Sequence, residues 1–121
     1  MHWGATAAAI LLLGTASARA DGDAAAGKTV FAKCAICHSP KPGENKIGPS
    51  LFGVVGRPSH SVPGFAYSEP MKSHNVTWDA ATLDHYLVDP RATVPGTKMI
   101  FPGLKSETER ANLIAYLETL K

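Results

Sequence analysis

The segment Cys34-Ala35-Ile36-Cys37-His38 decides how the rest of this 121-residue chain is interpreted. It matches the pattern C-x-x-C-H, which is typical of covalent attachment of a c-type haem. Two thiols one helical turn apart can each add to a haem vinyl group, and the adjacent histidine can direct its imidazole at the iron. We therefore predict thioether bonds at Cys34 and Cys37 and an axial iron ligand at His38.

Three other uses of these cysteines are less consistent with the sequence. A disulfide between Cys34 and Cys37 would close only a very small loop and would add little stability. A thioredoxin-type dithiol requires a βαβ pattern, and a zinc site requires further thiolates, whereas the chain has only two cysteines. A dithiol oxidoreductase stays an alternative, which mass spectrometry would support if it found free thiols and no covalent haem.

Residues 1–20 have the pattern of a secretory signal peptide. The apolar run over residues 7–13 is too short to span a membrane, and Ala18-Arg19-Ala20 provides a small-x-small cleavage site. We expect cleavage after Ala20 and a single domain over residues 21–121. An uncleaved N-terminal helix that acts as an anchor is the alternative.

The charge excludes one class of function. The formal net charge is +2, and cleavage would remove Arg19 and no acidic residue, which leaves +1. A nucleic-acid-binding protein would require a strongly basic face. We therefore expect no nucleic-acid partner.

The distribution of prolines and glycines predicts an all-α fold with three main helices and long ordered loops. Residues 39–76 contain too many helix-breaking residues for long helices or strands, although a short helical turn can follow Ser68. Asp23 can cap a helix that extends to about Lys33. Asp79 can cap a second helix, which Pro90 ends.

A third helix is predicted near the C-terminus, after a loop over residues 91–105. Ser106-Glu107-Thr108-Glu109 matches the capping box, in which the Ser and Glu side chains satisfy free backbone N–H groups. The helix that follows carries its apolar residues on one face, namely Leu113, Tyr116, Leu117 and Leu120.

A c-type haem requires a second axial ligand or an open site. The candidates are Met71, Met99, His60, His74 and His85. We favour Met99, because proline and glycine at both ends of the apolar loop 94–103 suit a rigid placement of one side chain. His/Met ligation raises the reduction potential of the iron.

The chain as a whole resembles class I cytochromes c, close to mitochondrial cytochrome c and to bacterial periplasmic cytochromes of the c2 type. The resemblance covers nearly all of residues 22–120. It rests on Gly27 and Phe31, on the C-x-x-C-H segment, and on the stretches 47–57, 63–67, 76–78, 86–87, 95–101 and 113–117.

The resemblance implies roles for further residues. Pro49 would accept a hydrogen bond from His38, and Met99 would be the second axial ligand. Arg57, Tyr67 and Trp78 would donate hydrogen bonds around the haem propionates. Tyr86 and Thr97 would lie near the Met99 sulfur. Gly27 would let the first helix cross the last one closely.

The resemblance also implies a function. We expect a soluble, monomeric, monohaem electron carrier of a bacterial periplasm rather than an enzyme. Its donor would be a membrane quinol-oxidising complex or a dehydrogenase, and its acceptor an oxidase, a reductase or a reaction centre. The alternative is a haem protein with a labile Met99 that acts as a peroxidase-like enzyme or as a sensor of diatomic ligands.

Two further expectations concern the surroundings of the haem. Met71 falls where the family usually has a buried asparagine, so the site near the second ligand should be less polar than usual. Five cations lie in segments expected to border the exposed haem edge and could steer an acidic partner: Lys33, Lys46, Arg91, Lys98 and Lys105.

Overall fold

The computed structural model describes residues 22–121 together with Met1 and Gly4, so the predicted cleavage site lies outside the described residues. The described part contains five helices: α1 (Ala24–Phe31), α2 (Glu69–Lys72), α3 (Ala80–Val88), α4 (Pro90–Thr93) and α5 (Glu107–Glu118). Within it there are no strands, and none of its helices has the length and apolar character that a bilayer crossing requires. The all-α prediction, with α1, α3 and α5 as the main helices, is confirmed.

The three predicted helix caps form. The carboxylate of Asp23 accepts from the N–H groups of Ala25 and Ala26, and that of Asp79 accepts from the N–H of Thr82. The hydroxyl of Ser106 accepts from the N–H of Glu109 at 3.2 Å, as one half of the capping box requires. The Glu109 carboxylate lies 3.5 Å from the Lys33 ammonium.

Pro90 has a second role that the sequence analysis did not predict. It ends α3 as expected, but α4 begins at Pro90 and occupies the first residues of the segment 91–105, which was predicted as a loop. Proline suits the first helical position, because its φ is already helical and its missing N–H is not needed there. Asp89 caps α4 by accepting from the N–H of Ala92 at 3.2 Å.

The closest helix contact joins α1 to α5. A Cβ added at Gly27 would overlap the Asn112 carbonyl and would lie 2.8 Å from the Cβ of Tyr116. The Phe31 and Tyr116 rings pack with centroids 5.2 Å apart, and the N–H of Asp23 donates to the Asn112 side chain at 2.8 Å. Gly27 therefore permits the crossing that brings the end of α1 to its place against α5.

A buried arginine, which the sequence analysis missed, joins α5 to α3. Arg110 is only 9% exposed, and its Nε donates to the Asp84 carboxylate at 2.8 Å. Its Nη1 donates to the carbonyls of Leu104 and Lys105 at 2.9 and 3.1 Å. Burial of this cation is tolerated because its Nε and Nη1 donors are satisfied, and the same bonds fix the loop before α5.

Buried serines order the long loops. The Ser50 hydroxyl donates to the Lys41 carbonyl, and the Ser59 hydroxyl donates to the His74 carbonyl, each at 2.6 Å. An isolated antiparallel bridge pairs Pro58 with Thr77, and the segments beside it are held by backbone hydrogen bonds. These bonds replace the ladders of regular structure and hold Arg57 next to Trp78.

The α1–α5 crossing predicts the effect of a single added methyl group. Gly27→Ala should lower the free energy of unfolding by about 1–3 kcal/mol, because backbone atoms of α5 must move to admit the methyl. Thermal or denaturant unfolding measures the loss. Thr29→Ala, at an exposed position of the same helix, should change stability by no more than about 0.5 kcal/mol. Equal effects of the two substitutions would contradict the close crossing.

Candidate haem site

The C-x-x-C-H segment continues from the end of α1 as a series of turns. The N–H of Ala35 donates to the Phe31 carbonyl, and the N–H groups of Cys37 and His38 both donate to the Cys34 carbonyl. Both cysteines are half-buried, and neither forms a disulfide. Burial, with a smaller contribution from the neighbouring Cys37, raises the pKa of the Cys34 thiol to about 11. The turn therefore presents two thiols beside one imidazole.

His38 is held in the form that can bind a metal. Its Nδ1 lies 2.7 Å from the Pro49 carbonyl oxygen, which can only accept, so Nδ1 carries the proton. Burial is the main reason that the pKa of His38 is lowered, which favours the neutral imidazole. The Nε2 lone pair is then free for coordination, and the bond to Pro49 makes the imidazole a stronger donor.

The loop before α5 brings Met99 to a hydroxyl on α3. The Tyr86 Oη lies 4.0 Å from the Met99 Sδ, and the Thr97 hydroxyl accepts from the Met99 N–H at 3.2 Å. Tyr86 is buried, and burial raises the pKa of its hydroxyl to about 12. The phenol therefore stays protonated and can donate to the thioether sulfur. The Tyr86 hydroxyl thus lies beside the Met99 sulfur, whereas the Thr97 hydroxyl contacts the Met99 backbone.

The other candidate ligands have different surroundings. His60 shares a 2.7 Å hydrogen bond with the Asn75 side chain, and the His74 ring packs against Trp78 at 5.9 Å. His85 is exposed on α3. Met71 is half-buried and packs against the hydrophobic core.

Arg57 presents an unsatisfied donor. Its Nη1 donates to the carbonyls of Ser50 and Phe52 at 2.9 and 3.0 Å, while its buried Nε has no hydrogen-bond partner. Burial also lowers the pKa of the guanidinium. A buried N–H without an acceptor is costly, and a propionate oxygen, or a water bound to one, is the kind of acceptor that it lacks.

Tyr67 and Trp78 complete the predicted set. The Tyr67 hydroxyl accepts from the Val62 N–H at 3.0 Å, which leaves its own proton available for donation. Trp78 is buried, with its ring centroid 4.8 Å from that of Tyr86. Together with the two thiols, the neutral imidazole and the thioether, these donors fit a covalently bound haem.

Sequence analysis missed the contributions of Lys46 and Gly48 to the surroundings of His38. The Lys46 ammonium donates to the Ala35 carbonyl at 2.6 Å, and buried Gly48 lies directly against the His38 ring. The sequence signals Gly48 only by its place before Pro49, and it predicts Lys46 only as one of the five cations that border the exposed haem edge. Both contacts depend on how the loop folds back over the C-x-x-C-H segment.

Comparison with known proteins identifies the family. The family model described as cytochrome c matches residues 24–121. Cytochrome c2 of Rhodomicrobium vannielii is 51% identical over 112 residues, which cover 89% of this chain and 87% of that protein. Cytochrome c2 of Rhodoblastus acidophilus is 50% identical over 101 residues, which cover 83% of this chain and 94% of that protein.

A solved structure supports the same assignment. Cytochrome cH from Methylobacterium extorquens superposes with a TM-score of 0.76 at 45% identity, covering 81% of this chain and 99% of the other. The all-α architecture of the described residues agrees with that family. The chain therefore belongs to the cytochrome c family, as a class I c-type cytochrome that carries covalently bound haem c and transports electrons.

Proposed function

We propose that His38 and Met99 are the two axial iron ligands of this electron carrier. The observation that carries the proposal is the pair of ligand supports: Pro49 fixes the proton on His38 Nδ1, and the Tyr86 hydroxyl lies beside the Met99 sulfur. When bound, the haem supplies a one-electron couple between ferric and ferrous iron. Two protein ligands leave no coordination position for a substrate, which suits electron transport.

The chain's own residues set the potential of that couple. A neutral imidazole and a neutral thioether add no charge to the iron, and the soft thioether favours the ferrous state. Water has little access to the α3 side of the site, because three side chains there are each less than 9% exposed: Tyr86, Trp78 and Leu83. A low-polarity wall disfavours the net positive charge of the ferric haem and raises the potential.

The N-terminal sequence and the relatives support a location for this activity. Residues 1–20 have the pattern of a cleaved secretory signal, and both relatives named above are bacterial cytochromes c2. We assign the mature chain, residues 21–121, to a bacterial periplasm as a soluble monomer. There it would take electrons from a quinol-oxidising complex or a dehydrogenase and pass them to an oxidase, a reductase or a reaction centre.

Four of the five cations expected to border the exposed haem edge differ in their surroundings. The Lys33 ammonium lies 3.5 Å from Glu109, so its charge is partly compensated. Lys46 and Lys105 donate to backbone carbonyls at 2.6 Å, which fixes their positions without removing their charges. Lys98 is exposed and directly precedes Met99. We therefore expect Lys98 to contribute most to steering an acidic partner.

Replacement of Met99 tests the ligation. Met99→His should retain covalent haem, because Cys34, Cys37 and His38 remain, and it should lower the reduction potential, because imidazole donates more strongly to ferric iron than a thioether does. Redox titration followed by absorbance measures the change. Met71→Leu, which removes the other half-buried thioether, should keep the native potential. An unchanged potential in Met99→His would show that Met99 is not a ligand.

Salt dependence tests the docking charges. Stopped-flow oxidation by an acidic redox partner, such as a purified oxidase, should slow as ionic strength rises, because screening weakens electrostatic steering. Lys98→Gln should reduce the low-salt rate and flatten the salt dependence. Lys121→Gln, at the exposed C-terminus, is the matched control and should change neither. If the oxidation rate of the native protein does not depend on ionic strength, the cations at the haem edge do not steer the partner.

Met71→Asn tests the polarity of the site. Met71 packs against the core, and its neighbour Pro70 reaches Gly96, where a Cβ would be 3.2 Å from the proline ring. An amide at position 71 should admit a water, lower the reduction potential and destabilise the fold by about 1–3 kcal/mol where the amide finds no partner. Met71→Leu should keep both values near native. If Met71→Asn changes neither the reduction potential nor the stability, residue 71 does not lie in the haem surroundings.

A further inference from the structure

We propose that Gly48 is a positioning residue that sets the orientation of the His38 imidazole, and that Lys46 holds Gly48 in place. The inference rests on the proposed ligation of iron by His38. It extends that proposal by naming the surface against which the ligand ring is fixed, which the hydrogen bond to Pro49 alone does not define.

Gly48 touches the ring itself. A Cβ built on Gly48 would lie 2.7 Å from Nδ1 and 2.8 Å from Nε2 of His38, and closer still to Cε1. These separations are shorter than any ordinary carbon contact, so a methyl group would have to displace the ring. The φ of Gly48 lies outside the left-handed region, so an alanine could adopt its backbone conformation. The requirement for glycine here is therefore steric.

Gly48 is also prevented from moving away. Its N–H donates to the Cys37 carbonyl at 2.7 Å, and its own carbonyl accepts from the Lys46 N–H at 2.9 Å. The Lys46 ammonium reaches across to the Ala35 carbonyl at 2.6 Å. Two separate bonds therefore fasten residues 46–48 to residues 35–37, which directly precede His38.

The imidazole is thus held at two places by adjacent residues. Gly48 contacts its ring, and Pro49 accepts the proton of Nδ1 at 2.7 Å. A ring displaced by a methyl at position 48 would lose alignment with the Pro49 carbonyl. The imidazole would become a weaker donor, the ferric state would lose stabilisation, and the reduction potential would rise.

The principal test compares two glycines that both contact their neighbours closely. Gly48→Ala and Gly27→Ala holoproteins are compared by unfolding, by redox titration and by NMR of the His38 ring protons in the ferric state. Both should lose stability. Only Gly48→Ala should raise the potential and change the paramagnetic shifts of the His38 ring. Native potential and shifts in Gly48→Ala, or equal changes in Gly27→Ala, would overturn the proposal.

Lys46 supplies a second variant that leaves the core intact, because its side chain is exposed. Lys46→Met should move the potential and the His38 shifts in the same direction as Gly48→Ala but less far, and Lys46→Arg, which keeps a cationic donor, should return them toward native values. If Lys46→Met has the native reduction potential and the native His38 shifts, Lys46 does not hold Gly48 in place. Iron-shifted His38 ring signals in the unmodified protein test the ligation itself, separately from these variants.

Discussion

Gly27 lets the backbone of α1 approach α5 so closely that the Asn112 carbonyl occupies the space that a Cβ would fill. This contact fixes where α1 ends, and the C-x-x-C-H turn begins only three residues after Phe31, the last residue of α1. The Phe31 and Tyr116 rings extend the same contact toward the site. The thiols and the imidazole are therefore placed by a helix crossing, and the loops that carry the other site residues fold against that fixed segment.

The long loops remain ordered without strands because buried polar groups hold them. Arg110 binds Asp84 and two carbonyls of the loop before α5, and the buried serines bind carbonyls across their own loops. Each such group is costly to bury unless it is satisfied, so each specifies one loop conformation rather than a range. That specificity matters in a carrier, because the position of Met99 depends on the loop between α4 and α5.

The electrostatics of the site favour uncharged ligands. Burial lowers the pKa of His38 and raises that of Tyr86, so the imidazole is neutral while the phenol stays protonated. The buried Nε of Arg57 has no hydrogen-bond acceptor within the described chain. The chain thus combines two neutral proposed ligands, His38 and Met99, with a cationic donor at Arg57, which is an arrangement suited to a haem whose only charged peripheral groups are propionates.

Sequence by itself determined the local chemistry. C-x-x-C-H predicts haem attachment because thioether formation and ligation by the histidine would need only adjacent residues. Asp23, Asp79 and Ser106 predict helix starts because capping acts within three residues. The tertiary structure alone decided what depends on distant segments: Arg110 as a buried link, Gly48 against His38, and Lys46 on the Ala35 carbonyl. Pro90 belongs to both, because its ring predicted a helix end while the Asp89 cap showed that another helix begins there. Local patterns cannot show which carbonyl or ring a side chain meets across the fold.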